Sequence, residues 1–238
     1  MRRLPLVPTL LTTLMLIVLL GLGVWQVERR IWKNQLIAQI EERMAEEPMA
    51  LPMAIDDPEH WEFRRVTLTG LIDRERVLVL ANRTLDGQSG VHWIAPVVQQ
   101  SGATILADLG WVPFEMADAD PREHLPVDEV PLTGTLRLPG EAGWFTPDND
   151  VEGNRWYWTD ISAMAEAAGV RQPMGMLLAV GGESVPWEPP PQPVGTVVDL
   201  PNNHLQYAIT WFALAGVLAV IYTIFATRQP GRGRGGSV

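Results

Sequence analysis

Two uncharged apolar runs bracket the chain. Residues 4–27 hold no Asp, Glu, Lys or Arg over 24 positions, and residues 205–226 hold none over 22. A helix rises ~1.5 Å per residue, so each run is long enough to cross a ~30 Å hydrocarbon slab with some tilt. Arg2 and Arg3 give the first run the positive start of a secretory signal, but its length exceeds an ordinary signal core and predicts a retained anchor.

Between the runs the period changes. Leu36, Ile37, Ile40 and Met44 recur at helical spacing among Glu41, Glu42, Glu46 and Glu47, which predicts an amphipathic stalk that stops at Pro48 and Pro52. From residue 62 onwards, short runs near period two at 65–72, 77–81, 91–98, 104–112 and 131–138 predict antiparallel strands. Asp86-Gly87, Ser101-Gly102 and Pro139-Gly140 punctuate them as turns, and Gly87-Gln88-Ser89-Gly90 belongs to a hairpin rather than to a nucleophile elbow. Asp160 or Ser162 can cap a helix over 161–168 that Gly169 closes, and 174–180 reads as a late strand. Pro186, Pro189, Pro190, Pro191, Pro193 and Pro201 then make a stiff, extended return.

The predicted fold is a membrane protein in which two transmembrane helices flank one β-rich (α+β) domain. Its divisions are a tail with the first transmembrane helix (1–27), the stalk and linker (28–55), the β-rich domain (56–183), a Pro-rich linker (184–203), the second transmembrane helix (204–227) and an Arg/Gly tail (228–238).

Charge orients this arrangement. Arg228, Arg232 and Arg234 follow the second run without an acid, whereas 183–204 hold no Lys or Arg. The positive-inside bias predicts cytoplasmic termini and a central domain in the periplasm or an equivalent space. Arg29, Arg30 and Lys33 argue mildly against this, but long domains cross largely regardless of such charges. All 28 acidic residues and 13 of the 18 basic ones lie between the runs, leaving that stretch 15 charges negative. Such a surface repels phosphate backbones, so nucleic acid is not an expected partner, while the two apolar runs make membrane lipid one. The absence of cysteine excludes thiol redox chemistry, thiol metal transfer and covalent c-type haem attachment.

Gly23-Val24-Trp25-Gln26 with Arg29, Arg30 and Lys33, Gly70 with 77–84, the hairpin Asn82-Arg83-Thr84-Leu85-Asp86-Gly87, Gly110-Trp111-Val112-Pro113, and the string from Pro201 to Trp211 occur in order over nearly the whole chain. Together they resemble the surfeit-locus family of cytochrome c oxidase assembly factors. Asn-Asn-His-Leu-Gln-Tyr-Ala at the second run is the most specific piece. Leu109 stands where the family's usual motif carries Arg, so a role for that arginine does not transfer. The resemblance implies a non-catalytic factor, not an enzyme, that helps deliver haem a from a haem a synthase into cytochrome c oxidase subunit I. It also implies His204 as the haem contact.

On residue chemistry alone, a neutral imidazole is a good iron ligand, and a site at the lipid boundary admits an apolar porphyrin from the side. On a helix His204, Tyr207, Ala208, Trp211 and Ala215 share one face, an aromatic wall with small residues for close approach. Arg29 and Arg30 suit haem propionates. A plainer reading stands beside this one: Asn202 or Asn203 caps the helix, His204 and Tyr207 anchor it at the interface, Trp25 and Trp211 belong to an aromatic belt, and the arginines lie among headgroups.

A cofactor-free adaptor holding oxidase intermediates is the alternative function, and a tethered metalloenzyme using His60, His92 and His124 the third. Those histidines lie 32 residues apart without a short ligand pair, which suits ordinary surface or half-buried histidines. Met44, Met49 and Met53 fit a helical stripe and a loop better than a soft copper site. Asn154-Arg155-Trp156-Tyr157-Trp158 is the densest aromatic cluster between the runs, either a core strand or an anchor for a protein partner.

Overall fold

The computed structural model describes residues 6–181, 185–195 and 203–228. Arg2, Arg3, Pro201, Asn202, Arg232 and Arg234, on which the tail, capping and charge readings draw, lie outside the described residues. The chain divides into two compact units, residues 1–39 with 199–238, and residues 40–198.

Two helices make the first unit. Helix α1 (Leu6–Ala45) runs unbroken through the apolar run and the predicted stalk, and α4 (His204–Arg228) covers the second run. Their apolar surface is bare: Leu6, Leu10, Leu14 and Ile17 on α1 and Val217, Val220 and Ile221 on α4 are all more than half exposed. Water penalises surface of this kind over 22 consecutive positions, and lipid does not, so these are membrane-spanning segments.

Each helix covers one narrow stripe. On α4 the less exposed positions are His204, Ala208, Trp211, Ala215, Leu218, Tyr222 and Ala226, and on α1 they include Thr9, Thr12, Leu16, Leu19, Gly23, Gln26 and Arg30. Spacings of four and three residues define the seam of two helices packed side by side. Small residues make the approach close, since a Cβ on Gly23 would stand 2.6 Å from the Phe212 ring. Polar contacts hold both ends: Thr9 Oγ1 and Tyr222 Oη are 2.6 Å apart at one, and Gln26 meets His204 at the other.

The second unit is a β barrel. Its elements in order are β1 (Met49–Ala50), the short helix α2 (Pro58–Trp61), β2 (Arg65–Ile72), β3 (Leu78–Leu85), β4 (Gln88–Gln99), β5 (Thr104–Pro113), β6 (Val130–Arg137), β7 (Arg155–Trp156), α3 (Ile161–Ala167) and β8 (Pro173–Val180). Strands lie in the order β1-β2-β6-β8-β5-β4-β3-β7, and β2 also pairs with β4, which closes β2, β6, β8, β5 and β4 into a ring. The long β4 makes closure possible, because Val97 to Gln99 take the end of β2 while Gln88 to Ile94 take β3 along the same edge.

Alternation sorts the apolar side chains onto two faces. Val91, Trp93, Ala95 and Val97 of β4, Ile105, Ala107 and Leu109 of β5 and Met176, Leu178 and Val180 of β8 fill the barrel. Ile94, Leu106 and Leu177 point outward instead, where Ile161, Met164 and Ala165 of α3 cover them with Trp156. That second cover is why β4, β5 and β8 are buried on both faces. The Asp86-Gly87 dipeptide joins β3 to β4 with φ of 49° and 80°, both left-handed as a two-residue hairpin requires.

Antiparallel pairing accounts for most of the ring, and the late strand departs from it. β8 enters between β6 and β5, antiparallel to the first and parallel to the second. α3 lies in the crossover from which β8 starts.

Candidate functional site

His204 is the first residue of α4, and the carbonyl of Asn203 accepts from the Tyr207 N–H in the opening turn. Its imidazole turns toward α1, where Nδ1–H donates to Gln26 Oε1 across 2.8 Å. Nε2 makes no hydrogen bond to a described residue. This is the contact that sequence reasoning missed, although a neutral amide inside an otherwise apolar run was a visible signal.

The two polar contacts of the helix pair lie 17 residues apart on α1 and 18 apart on α4. At ~1.5 Å per residue they are separated by ~26 Å, slightly less than a hydrocarbon core. Gln26 and His204 therefore sit at one boundary of the apolar slab. Ala208 and Ala215, 2% and 4% exposed, lie on the α1-facing stripe with His204 and the half-buried Trp211. Tyr207 flanks that stripe and is exposed.

The two arginines diverge. Arg30 is half-buried one turn beyond Gln26 on the same stripe. Arg29 is exposed, with its guanidinium carbon 3.9 Å from the centre of the Trp32 ring, a cation–π stack.

The three histidines of the barrel unit are not brought together. His92 Nδ1 bonds both carboxylate oxygens of Asp108, at 2.8 and 3.0 Å, while the His124 ring leans on Trp93 and the His60 ring meets Trp61 edge-on. Among the described residues no three His, Cys, Asp or Glu side chains gather as metal ligands. Met44 is half-buried in the last turn of α1, and Met49 and Met53 are exposed.

The motif from Asp108 to Pro113 is structural throughout. Leu109 bulges from β5 between the pairs Ile94–Asp108 and Trp93–Gly110, and its side chain is fully buried in the barrel. Asp108 Oδ1 takes the Gly110 N–H at 3.1 Å. Gly110, at φ 126°, lets residue 192 approach, and Trp111 exchanges backbone hydrogen bonds of 2.8 and 2.7 Å with Gln192. Arg83 lies near this group, and its pKa is lowered by burial, which the charge of Asp108 opposes.

Residues 185–195, read as linker from sequence, are fastened to the barrel in this way. Trp187 is 8% exposed in the core and its Nε1–H donates to the Pro191 carbonyl at 2.8 Å. The aromatic cluster at 154–158 is also architectural. Trp156 is fully buried and donates to Asn154 Oδ1, Asn154 in turn holds the Val77 carbonyl, and Asn149 accepts from the Tyr157 and Trp158 amides.

A polar cleft of about 410 Å³ on the barrel is lined by Arg74, Glu75, Asp118, Asp120 and Arg122 among others. Two of its cations are engaged: Arg122 Nη2 lies 2.7 Å from Asp120 Oδ2, and Arg74 donates to the Arg122 carbonyl at 3.0 Å. The hydrogen bonds from Arg122 hold the Asp120 carboxyl down at about 2.

A helix pair with the surface of a membrane span, a closed barrel between its halves in sequence, and a histidine paired to an amide at the apolar boundary define a membrane-anchored protein with a polar site at the lipid interface. Comparison with known proteins gives the family. The model of the SURF1 family matches residues 13–216. Surfeit locus protein 1 of Mus musculus is 33% identical over 229 residues, covering 88% of this chain and 73% of that protein. The human protein of the same name is 32% identical over 221 residues, 85% and 72% of the two chains. A SURF1-like protein of Monosiga brevicollis is 32% identical over 233 residues, 92% and 87%. The chain belongs to the SURF1 family.

Proposed function

We propose that this chain acts in cytochrome c oxidase assembly by binding haem a through His204 and presenting it for insertion into oxidase subunit I. A role in oxidase assembly follows from the family, and the haem step rests on one observation: an imidazole at the apolar boundary with Nδ1 occupied by Gln26 and Nε2 without a hydrogen bond among the described residues. A ligand in that position suits a molecule with an apolar body and a charged edge. The residues present fit such a group. His204 would hold the iron, the exposed Tyr207 and half-buried Trp211 would lie against the ring, and Arg30, with Arg29 beside it, would meet the propionates.

Haem, when bound, supplies an iron centre that needs a fifth ligand, and the protein's part is to bind, orient and shield it. The seam of Ala208 and Ala215 keeps the helices close, so a planar ring would be held at the edge of the pair by His204 with Tyr207 beside it. The supplier in this reading is a haem a synthase and the receiver is subunit I, with the barrel in the periplasm of a bacterial cell and both termini in the cytoplasm. The cofactor-free adaptor remains the second reading, favoured by a closed barrel in which Asp108 engages His92 and Trp93 meets the His124 ring, while Trp144 and Phe145 stand fully exposed.

The absorption spectrum of the detergent-purified chain, co-expressed with a haem a synthase, separates the two. A haem Soret band at close to one haem per chain is expected. A featureless visible region supports the adaptor.

A further inference from the structure

Building on the haem-binding reading above, we infer that Gln26 is the positioning residue of the site, selecting which imidazole nitrogen of His204 faces the iron. A neutral imidazole carries its proton on one nitrogen, and only the other offers a lone pair to a metal. An amide oxygen can only accept. Gln26 Oε1, 2.8 Å from Nδ1, holds the proton there and leaves Nε2, the nitrogen farther from the backbone, as the ligand atom. The bond also fixes the ring's rotation, and it makes the imidazole a better donor, as carbonyl partners do for metal-bound histidines.

The helix pair is built to deliver this amide. Gln26 lies on the covered stripe of α1 one turn after Gly23, and the missing side chain at 23 lets the Phe212 ring come within 2.6 Å of where a Cβ would stand. With the helices that close, a glutamine side chain spans the gap to the first residue of α4. A neutral acceptor suits the place, because a lone amide at an apolar boundary is costly unless partnered, and a carboxylate would bring a full charge there. The site thus takes its ligand from one membrane helix and its orientation from the other.

The test uses the full chain in detergent with ¹⁵N-labelled histidine rings, at a pH about two units above the ordinary imidazole value of ~6.5. His204→Ala assigns the His204 signals. In the haem-free wild type, Nδ1 is expected to give a pyrrole-type signal and Nε2 a pyridine-type signal, and Gln26→Leu is expected to move the ring toward the mixture of a free imidazole. Haem a titrated into the same proteins should bind Gln26→Leu about 10- to 100-fold more weakly. Gln26→Glu, which keeps an acceptor, should retain binding with a lower haem reduction potential, since a carboxylate pushes the ligand toward imidazolate.

A wild type carrying its proton on Nε2 overturns the inference, and so does Gln26→Leu with wild-type tautomer and wild-type haem affinity. Wild type that takes up no haem removes the haem reading and this inference with it. The tautomer, read without haem, then still shows whether Gln26 orients the ring.

Discussion

An alanine at position 110 would set its methyl carbon 2.1 Å from the Gln192 carbonyl oxygen, at a φ of 126° that side chains rarely adopt. Strain and displacement of residues 185–195 together should cost at least ~2 kcal/mol, so Gly110→Ala should lower the thermal midpoint of the barrel by several degrees. An unchanged midpoint would show that the 192 contact is dispensable. Asp120 offers a pH-dependent check. Its folded pKa of about 2 lies below the ordinary 3.8, so its contribution to stability is present above that ordinary value and is lost as pH falls through about 2. Arg122→Ala should return the Asp120 carboxyl toward its ordinary range in an NMR titration; a titration that does not move would exclude Arg122 as the cause. At this scale His204 was legible from sequence because a polar string meets an apolar run. Gln26 was visible only as an amide in an apolar run, because its pairing with His204 exists only once α1 and α4 are side by side.

The helix pair makes its own prediction. Because the chain has no cysteine, Thr9→Cys with Tyr222→Cys should be joined within one chain by a short thiol crosslinker, as the 2.6 Å contact between the native hydroxyls requires. Adding Gly23→Leu should cut that yield several-fold by forcing the Phe212 ring away. A yield indifferent to position 23 would place the seam elsewhere. Six of the eight strands and the α3 helix were readable, because alternation and turn dipeptides mark them locally. β1 and β7, two residues each, are made by their partners β2 and β3 and carry no periodic signal. Barrel closure was illegible for a different reason. It depends on one edge of β4 being shared by β2 and β3, and on β8 entering parallel to β5, and neither long-range pairing leaves a trace in local pattern. The Pro-rich segment misled because proline spacing predicts stiffness but says nothing of Trp187, whose ring is buried in the core.

Taken whole, the molecule joins a pair of apolar helices that bring His204 and Gln26 together to a barrel whose polar clusters hold its own frame. A fragment spanning residues 40–198 should fold by itself and give a β-dominated circular dichroism spectrum with the α3 contribution. It should bind no haem, because His204 and Gln26 lie outside it; haem retained by the fragment would move the site onto the barrel. For orientation, a cytoplasm-dependent reporter should work when fused after Val238, and a periplasm-dependent one when inserted near Asp118, with the reverse pattern contradicting the two-span arrangement proposed here. If His204 holds haem, the most direct measure of it is haem per polypeptide in wild type and His204→Ala, each co-expressed with a haem a synthase and purified in mild detergent. The variant should insert and accumulate at the wild-type level, since both apolar runs are intact, yet lose nearly all its haem absorbance. Equal haem content in the two proteins would contradict the account.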